Sequence, residues 1–544
     1  MAAGQAVASE RRLDEDGGAP RAASIDADAD LHAAVALHRA GRLAEAAPIY
    51  LSVLRAAPDR FDALHLLGVL RQQEGRSTEA AELIGAALAQ RPDDPVALTN
   101  RSAALNALRR FDEAVASCDK ALAVKPDHVE ALNNRGLALK EMGRAHEALT
   151  SCDRALRLKP DYADAHNNRG LALQALRRPA DALQSYEQAL ALNPSHLDAL
   201  NNRGIALFDG KRLDEALACF DRALALAPNH PHAHWNRAQV LLLSGDFARG
   251  WPEHEWRRAS NPSLARTFDR PLWLGDAPVA GKTIVLHAEQ GLGDTIQFCR
   301  YAPLLAARGA RVVLEVQRPL VDLMKTLAGP AAVVARGDAL PDFDLHCPLL
   351  SLPLSFKTDL NTIPAEVPYL HGSSAVTTWD AVLGITRPRI GLVWSGNPGH
   401  KRDSARSIPF YALLPLFDLD ATFVSLQKDV RPADAAVLGQ SGKVRDAADA
   451  LTTFSDTAAL IATLDVLITV DTSVAHLAGA LGKPVWLLLP QVPDWRWLME
   501  RNDSPWYPSA RLFRQDTTRV WGPVITRVRA ALQDMVARRT VTGS

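Results

Sequence analysis

The sequence predicts an all-helical solenoid over its first half, followed by an α/β module of two doubly wound lobes. Two observations predict the solenoid: proline returns every 34 residues, and alanine returns with the same spacing. A third observation predicts the second half, where short β-branched runs alternate with glycine-rich turns and amphipathic stretches. The prolines are Pro58, Pro92, Pro126, Pro160, Pro194 and Pro228, and the alanines are Ala46, Ala80, Ala114, Ala148, Ala182 and Ala216.

This spacing resembles the tetratricopeptide repeat, a hairpin of two helices whose small residues let the helices approach closely. The resemblance covers about residues 27–256 and predicts six full hairpins from Ala27 to His230, with an atypical seventh that ends near Trp256. We expect Trp251 and Trp256 to pack this last hairpin, as a cap and a joint, on the second half of the chain. Glycine recurs more loosely, at Gly68, Gly136, Gly170 and Gly204.

A second 34-residue period, formed by asparagines, indicates a peptide-binding surface. Asparagine recurs every 34 residues on the first helix of successive repeats. Because an amide is both a donor and an acceptor, a row of such side chains can bond the backbone of an extended peptide. A purely structural explanation stays open, since asparagine is common in this repeat consensus. The ladder comprises Asn100, Asn134, Asn168, Asn202 and Asn236.

Composition excludes several classes of function. The net charge of -1 and the pI of about 7.0 argue against a nucleic-acid partner and against an anionic membrane surface. The five cysteines show no paired spacing, which argues against disulfides or a metal cage and fits a reducing compartment. The longest apolar runs, such as Val485 to Leu489, are too short for a transmembrane segment, so we expect a cytoplasmic protein.

The second half opens with strand, turn and helix signals. A predicted strand, Thr283 to His287, leads through a glycine turn into an amphipathic stretch from Thr295 to Arg308, and a strand from Arg311 to Val316 comes next. Further strands are predicted at Ile390 to Trp394, Thr422 to Leu426, Val466 to Val470 and Val485 to Leu489, with a helix from Thr457 to Leu464. Such folds bind ligands in the cleft between lobes.

These signals divide the chain into domains. The predicted segments are a disordered leader over 1–26, a repeat superhelix over 27–258, a linker over 259–281, a first Rossmann-like lobe over 282–375, a connector over 376–388 and a second lobe over 389–544. For the last helix of the second lobe, packing back on the first lobe stays open.

The motif at 470–489 is the strongest local signal. It places Asp471, Thr472 and Ser473 between a buried strand and a helix, where free backbone N–H groups and two hydroxyls favour phosphate. An ordinary helix cap is the alternative, because these residue types are the commonest caps.

Two segments together carry a family resemblance. GLGDTIQF from Gly291 and DTSVAHLAGALG from Asp471 resemble the two signatures of the heptosyltransferase-like glycosyltransferases, family 9. Together with the repeats, the chain resembles bacterial tetratricopeptide-repeat glycosyltransferases, and its layout is similar to that of the protein O-GlcNAc transferases. The resemblance implies a GT-B fold whose first lobe contacts the acceptor and whose second lobe holds a nucleotide-sugar donor.

The resemblance also implies roles for single residues. Asp294 matches the family carboxylate proposed as the general base, although it also suits an N-cap for a helix beginning at Thr295. His287 and Glu289 are reserves for the base. The remaining implied site residues are the glycine loop Gly291 and Gly293; Asp471, Thr472, Ser473, Arg406 and Lys401 for the donor diphosphate; His476 for the donor sugar or phosphate; and Gln427 and Lys428 for the nucleotide.

Arg406 departs from the family pattern, because it stands where the family carries a phosphate-binding lysine. An arginine can still bind phosphate bidentately. Asp-x-Asp occurs at 342–344 and at 418–420, but neither pair lies at a suitable strand end. We therefore expect no metal and no cofactor besides the nucleotide-diphosphate sugar, with cations and a helix dipole neutralising the leaving group.

The sequence thus predicts an inverting glycosyltransferase that moves a sugar to a hydroxyl on a protein or peptide bound by the repeat groove. One alternative is an acceptor of glycan or lipopolysaccharide type, with the repeats as an assembly scaffold. A second alternative is a catalytically inactive peptide-binding scaffold, which Arg406 in place of lysine keeps open. Pairing of chains into a homo-oligomer through the solenoid is also open.

Overall fold

Helices follow one another in pairs from residue 27 to residue 254 of the computed structural model, which describes residues 27–372, 379, 383, 384, 387–400 and 402–542. The predicted leader, most of the predicted connector and Lys401 lie outside the described residues. The first eleven helices are α1 (Ala27–Arg39), α2 (Leu43–Ala56), α3 (Phe61–Gln73), α4 (Ser77–Gln90), α5 (Pro95–Ala107), α6 (Phe111–Val124), α7 (Val129–Glu141), α8 (Ala145–Leu158), α9 (Ala163–Ala175), α10 (Pro179–Leu192) and α11 (Leu197–Asp209). The helical series ends with α12 (Leu213–Leu226), α13 (Pro231–Leu243), α14 (Phe247–His254) and the short α15 (Arg257–Ser260).

The predicted hairpin repeat is confirmed by this helix pattern. The alanine row from Ala46 to Ala216 has no exposed surface. The glycine positions are equally crowded, since a Cβ added at Gly136 would lie 2.5 Å from Sγ of Cys152, and one at Gly170 would lie 2.5 Å from the ring of Tyr186. Only a residue without a side chain lets the two helices of a hairpin approach this closely.

The chain divides into two compact units, Met1–Gly210 and Lys211–Ser544. The division falls between α11 and α12, so the last helices of the series belong to the second unit. This point lies ahead of residue 258, where the sequence predicts the end of the repeats.

Two parallel sheets form the rest of the second unit. The strands are β1 (Thr283–His287), β2 (Arg311–Val316), β3 (Ala332–Ala335), β4 (Leu345–Pro348), β5 (Arg389–Val393), β6 (Thr422–Ser425), β7 (Val444–Asp446), β8 (Val466–Val470), β9 (Val485–Leu489) and β10 (Ala510–Arg514). One sheet has the order β3-β2-β1-β4 and the other β10-β9-β8-β5-β6-β7, and every pairing in them is parallel. Parallel sheets need crossovers, which predicts an α/β region with buried, apolar strands.

The helices of this region are mostly short. They are α16 (Leu292–Phe298), α17 (Ala302–Ala307), α18 (Val321–Met324), α19 (Leu352–Ser355), α20 (Asp403–Arg406), α21 (Pro432–Ser441), α22 (Phe454–Thr463), α23 (Ser473–Ala480) and α24 (Gly522–Thr542). The predicted helix from Thr295 to Arg308 begins earlier, at Leu292, and is broken by a 3-10 turn over Cys299–Tyr301, after which α17 starts anew with Pro303 in its first turn. Proline lacks the N–H that a continuous helix would need there.

The last helix packs on the second sheet. Val524, Ile525, Val528 and Leu532 of α24 belong to the same buried cluster as Ile390 and Ile468 of that sheet. This helix therefore packs within its own lobe, and packing back on the first lobe stays a prediction. None of the helices in the described part of the chain is both long and apolar enough to cross a membrane.

Candidate active site

A cleft of about 1100 Å³ opens at the carboxyl ends of strands from both sheets. Its walls come from five segments that each follow a strand: 290–294 after β1, 395–400 with 402–406 after β5, 426–429 after β6, 471–476 after β8 and 490–496 after β9. Residues 451–454 and Thr457, at the start of α22, close one side. Parallel α/β sheets bind ligands at this edge, because their loops and helix starts meet there.

The glycine turn and the motif at 471–476 meet in this cleft, although about 180 residues of sequence separate them. A Cβ added at Gly293 would lie 2.8 Å from Cδ2 of His476 and 3.4 Å from Cα of Ser473. Gly293 thus lets α16 pack against the beginning of α23.

The beginning of α23 offers unfilled donors. Thr472 is the N-cap residue, and its side chain makes no capping bond to this helix. Its hydroxyl instead lies 3.3 Å from that of Thr469. Ser473 and Val474 line the cleft, and the first N–H groups of a helix have no partner inside it.

Arg406 lies beside this helix start. Its Nη1 donates to the backbone oxygen of Asp471 at 2.9 Å, and its guanidinium packs so closely on Gly396 that an added Cβ would lie 2.7 Å from Cζ. Its Nε is buried without a hydrogen-bond partner among the described residues, as is the Ser395 hydroxyl nearby. Nε of Arg406 nevertheless lies 3.7 Å from Oδ1 of Asp403, so the guanidinium is ion-paired with that carboxylate. Both residues belong to the lining of the cleft.

Asp294 is bound from both sides. Its Oδ2 accepts from the backbone N–H of Gly291 at 2.8 Å, and its Oδ1 accepts from Nη2 of Arg496 at 2.5 Å. Asp294 is the third residue of α16, so it bonds backward to the N-cap residue and is not itself the N-cap.

Arg496 is the centre of a polar network. Besides Asp294, it donates through Nε to Gln297 at 2.6 Å and through Nη1 to Asp494 at 2.9 Å. Its side chain is only 8% exposed, so its charge is compensated mainly by these protein groups. One buried cation therefore serves two carboxylates of the cleft.

Burial and this network shift the pKa values of the cleft carboxyls. Burial raises the pKa of Asp294, and Arg496 opposes that rise. Burial raises the pKa of Asp471 to about 6, and the neighbouring Asp494 adds to the rise. At Asp494 burial acts in the same direction, but Arg496 outweighs it and holds the pKa of that carboxyl below its ordinary value. Titrating groups in clefts are frequent members of functional sites.

His476 is buried and uncharged at neutral pH. Burial, with a further contribution from Arg496, lowers its pKa to about 3. Its Nδ1 lies 3.0 Å from the hydroxyl of Tyr507, and its Nε2 lies 3.9 Å from Oδ1 of Asp471. The ring also stacks on Trp497 at 5.5 Å between centroids.

The two residues predicted to contact the nucleotide, Gln427 and Lys428, differ in burial and in hydrogen bonding. Oε1 of Gln427 accepts from the backbone N–H groups of Trp394 and Ser395, and its Nε2 donates to the backbone oxygen of Asp429. Gln427 thus holds together the ends of two strands, while Lys428 is exposed in the cleft lining. Their roles in binding a nucleotide stay predictions.

His287 and Glu289, the reserve candidates for the general base, lie outside the lining of the cleft. His287 is paired with His346, with 3.2 Å between Nε2 and Nδ1, and Glu289 is bonded to Arg257 at 2.7 Å. All four side chains are buried, and none of them lines the cleft. In the described residues, no group of three or more His, Cys, Asp or Glu side chains is placed to hold a metal ion.

The asparagine ladder forms bonds between repeats. In each case Nδ2 reaches the residue 35 positions earlier: Asn168 donates to Oδ1 of Asn133 at 2.8 Å, and Asn202 donates to Oδ1 of Asn167 at 2.9 Å. Asn134 reaches the backbone oxygen of Thr99 in the same way, Asn100 lies 2.9 Å from Nε2 of His65, and Asn236 lies on α13 in the second unit. Besides these bonds, Oδ1 of Asn168 accepts from Nδ2 of Asn167 at 3.5 Å, and Nδ2 of Asn134 also donates to the Ser102 hydroxyl at 3.1 Å.

Sequence reasoning assigned no role to several residues of the cleft. The most important are Arg496 and Asp494, together with Ser395, Gly396, His400 and the start of α22. The segment 494–507, which contains Trp495, Trp497 and Trp506, is the signal in the sequence, because it follows the carboxyl end of β9. No spacing in the sequence connects that arginine with Asp294.

Models of the tetratricopeptide repeat match residues 3–61, 167–231 and 212–250, residues 127–195, and residues 37–104. The chain therefore carries tetratricopeptide repeats. Protein FlbA of Caulobacter vibrioides is 28% identical over 329 residues, with 55% of each chain covered, so the chain spans about half the length of this curated relative.

Two solved structures illustrate the likeness of the repeats. TTC0263, a thermophilic TPR protein of Thermus thermophilus, is 27% identical, with a TM-score of 0.32 over 34% of this chain and 100% of that one. YrrB, a TPR protein with an unusual peptide-binding site, is 24% identical, with a TM-score of 0.26 over 34% of this chain and 94% of that one.

Proposed function

We propose that the protein is an inverting GT-B glycosyltransferase, which transfers a sugar from a nucleoside diphosphate to a hydroxyl of a protein bound by the repeats. The observation that carries the proposal is the cleft, because it joins the two segments that resemble the family 9 signatures, 290–294 and 471–476. Its volume of about 1100 Å³ is sufficient for a nucleotide sugar, since small-molecule sites usually measure about 300–1,000 Å³.

The donor diphosphate is assigned to the beginning of α23. The uncapped N–H groups there, the hydroxyls of Thr472 and Ser473 and the guanidinium of Arg406 are all donors at the cleft. Arg406 keeps the positive charge of the family lysine, and its Nε has no hydrogen-bond partner among the described residues. A planar guanidinium suits a phosphate particularly well.

In the proposed reaction the acceptor oxygen attacks the anomeric carbon. The bond from that carbon to the diphosphate oxygen breaks, the nucleoside diphosphate leaves with the electron pair, and the acceptor proton passes to the carboxylate of Asp294. A carboxylate has about four acceptor sites, so Gly291 and Arg496 leave room for the acceptor hydroxyl. His476, with a pKa of about 3, is a poor proton acceptor and is assigned to contact with the donor.

The peptide acceptor is assigned to the asparagine ladder. The inter-repeat bond of Asn202 uses one N–H of its amide, which leaves its amide oxygen and second N–H for a peptide backbone. At Asn168 the oxygen already accepts from Asn167, so an amide oxygen with two lone pairs has one left for the peptide. The bonds also keep neighbouring amides in a common orientation, which favours a repeating backbone over a glycan.

One observation favours a peptide-binding scaffold as the second candidate. Asp294 already has a bond to each of its oxygens, and a base that is held so firmly could be a structural residue of the interface between lobes. In that case the cleft would bind a nucleotide or nothing, but no sugar would be transferred.

The first test is calorimetric titration of the full chain with UDP, GDP and ADP. The proposal expects selective binding of one nucleotide, which the double variant Thr472→Ala with Ser473→Ala weakens at least tenfold. Thr526→Ala is the matched control, because this hydroxyl bonds only within α24 and lies far along the chain from the motif. Absence of binding to all three nucleotides would contradict the proposal.

The second test separates the two candidates. The chain is incubated with the bound nucleotide's sugar conjugates and a peptide library, and transfer is read by mass spectrometry. Transfer that Asp294→Asn abolishes without loss of nucleotide binding supports the glycosyltransferase. Nucleotide binding without any transfer favours the scaffold, and peptide transfer that survives Asn168→Ala with Asn202→Ala shows that the asparagine ladder does not hold the acceptor.

A further inference from the structure

We propose that the last helical hairpin, α13 and α14, positions Arg496 in the cleft by holding Trp495, and thereby orients the carboxylate of Asp294. This inference deepens the proposed function and rests on it for the role of Asp294. The contacts that carry it all lie within the unit Lys211–Ser544.

The first step is the contact between the hairpin and Trp495. Trp251 of α14 is 2% exposed, and its ring meets that of Trp495 edge to face, with centroids 5.2 Å apart and planes at 86°. His254, one turn later, meets the same ring at 6.1 Å and 71°. Edge-to-face pairs have a preferred geometry, so the hairpin fixes the plane of Trp495.

The hairpin is itself anchored on the first sheet's lobe. Nε1 of Trp251 donates to the backbone oxygen of Thr358 at 2.8 Å. Arg257, the first residue of α15, is 1% exposed and donates to Glu289 and Ser351 at 2.7 Å. Because these groups are buried and bonded, the hairpin cannot shift without breaking bonds in a low dielectric.

The second step passes from Trp495 to Arg496. The guanidinium carbon of Arg496 lies 4.3 Å from the centroid of the Trp495 ring and 5.5 Å from that of Phe298. A desolvated cation over an indole face is held by the ring quadrupole as well as by packing. These ring contacts hold the long side chain of Arg496 in one orientation, and they thereby fix the direction of its guanidinium N–H groups.

The third step is the set of hydrogen bonds that the guanidinium N–H groups of Arg496 donate. The guanidinium is a rigid fork, and its three branches reach Asp294, Gln297 and Asp494 at 2.5, 2.6 and 2.9 Å. A tilt of the Trp495 ring would move all three together. Since a misplacement of about 1 Å can cost a hundredfold in rate, Trp495 and Trp251 are positioning residues for the cleft.

The test compares two tryptophans of equal burial. Trp251→Leu removes the hairpin's contact with Trp495. Trp273→Leu is the control, because Trp273 is also 2% exposed and also donates from Nε1 to a backbone oxygen at 2.8 Å, but has no ring contact with Trp495 in the described residues. Hydrogen–deuterium exchange of the full-length variants is measured over 291–298 and 494–498, with nucleotide affinity measured in parallel.

The inference expects Trp251→Leu to raise exchange in both segments and to weaken nucleotide binding between about twofold and thirtyfold. Trp273→Leu should leave both readouts within twofold of the parent. In an Arg496→Lys background, Trp251→Leu should weaken binding by less than about twofold further, since effects that act through one residue do not add.

Unchanged exchange over 291–298 in Trp251→Leu overturns the inference. So does a loss of nucleotide affinity on adding Trp251→Leu to Arg496→Lys that is as large as the loss in the parent protein. If the parent protein binds no nucleotide, the proposed function fails and the exchange data alone still decide the inference. If Trp251→Leu does not fold, Trp251→Phe replaces it, because it keeps a ring but loses the bond to Thr358 and the indole edge.

Discussion

The repeats and the cleft use polar side chains in opposite ways. In the repeats a polar group finds its partner at a constant separation along the sequence. Arg135 donates to Asp119 and Ser151, 16 residues to either side, and Arg169 donates to Asp153 and Ser185 in the same pattern. In the cleft, Asp294 and Arg496 are 202 residues apart, and their contact belongs to no such repeating pattern.

This difference affects what each region can bind. A repeated pattern offers the same groups many times, so it suits a ligand that is itself repetitive, such as a peptide backbone. The cleft is assembled once, and the Ser395 hydroxyl in its lining has no hydrogen-bond partner in the described residues. Buried polar groups normally find partners, so this hydroxyl marks a place where a polar ligand is expected.

The largest expected effect is in the cleft. Arg496→Ala leaves Asp294 and Asp494 buried without their cation, which should lower the free energy of unfolding by about 3–5 kcal/mol. Urea denaturation followed by circular dichroism measures the change. Arg501→Ala, which breaks a more exposed pair with Asp503, is the control and should cost less than about 1 kcal/mol.

The same variant has a predictable pH dependence. The folded pKa of Asp494 is lowered by Arg496, so its stabilising contribution is present above the unfolded pKa of about 3.9 and is lost as the pH falls through the folded pKa. The deficit of Arg496→Ala that comes from this pair should therefore persist from pH 7 down to about pH 4 and shrink below about pH 4. A deficit that does not shrink below that pH would show that the pair is not the source of the stability.

The next effect tests the close approach of α16 and α23. Gly293→Ala places a Cβ 2.8 Å from His476, and we expect a loss of about 1–3 kcal/mol together with weaker nucleotide binding. Gly439→Ala is the matched control, because this glycine lies inside α21 with open space around it and should gain about 0.5–1 kcal/mol. Equal changes in the free energy of unfolding of the two variants, measured by urea denaturation, would contradict the close packing of α16 on α23.

An asparagine variant tests the repeat side of the comparison. Asn168→Ala leaves the buried Oδ1 of Asn133 without its donor, at a cost of about 1–3 kcal/mol. Asn193→Ala, which removes only an exposed turn bond to Ser195, should change stability by less than about 0.5 kcal/mol. Thermal unfolding compares them, and a neutral Asn168→Ala would mean that the ladder does not hold the repeats together.

The smallest expected effect concerns Asp471. Its folded pKa of about 6 is raised, so it is neutral below that pH and carries a negative charge above it. Binding of a nucleotide diphosphate should weaken severalfold between pH 5 and pH 7.5, because like charges repel in a partly buried site. Asp471→Asn should bind with a flatter profile, and titration of both proteins with the same nucleotide cancels the ionisation of the phosphate itself.

Much of the fold was predictable because its signals are local or periodic. The strands at 283–287, 311–316, 466–470 and 485–489 have the predicted bounds, since each is a short, mainly apolar run that contains β-branched residues. The helix predicted over 295–308 was wrong in its bounds, because the signal for the break at Pro303 was outweighed by the apolar pattern.

The candidate site was predictable only in part. Motif residues such as Asp294, Thr472 and His476 lie together in the cleft because each follows a strand of a parallel sheet, and the carboxyl ends of such strands share one edge. The internal bonds of Gln427 and the pairing of Glu289 with Arg257 could not be foreseen, since position after a strand does not specify the direction of a side chain.

The sequence by itself determined the 34-residue period, the buried alanine row and the order of strands along the chain, because a constant spacing or a short pattern carries this information locally. Only the tertiary structure decided that Arg496 bonds Asp294 and that Trp251 packs against Trp495. These contacts join segments that lie more than 200 residues apart, and their geometry depends on how two sheets and a helical hairpin pack together.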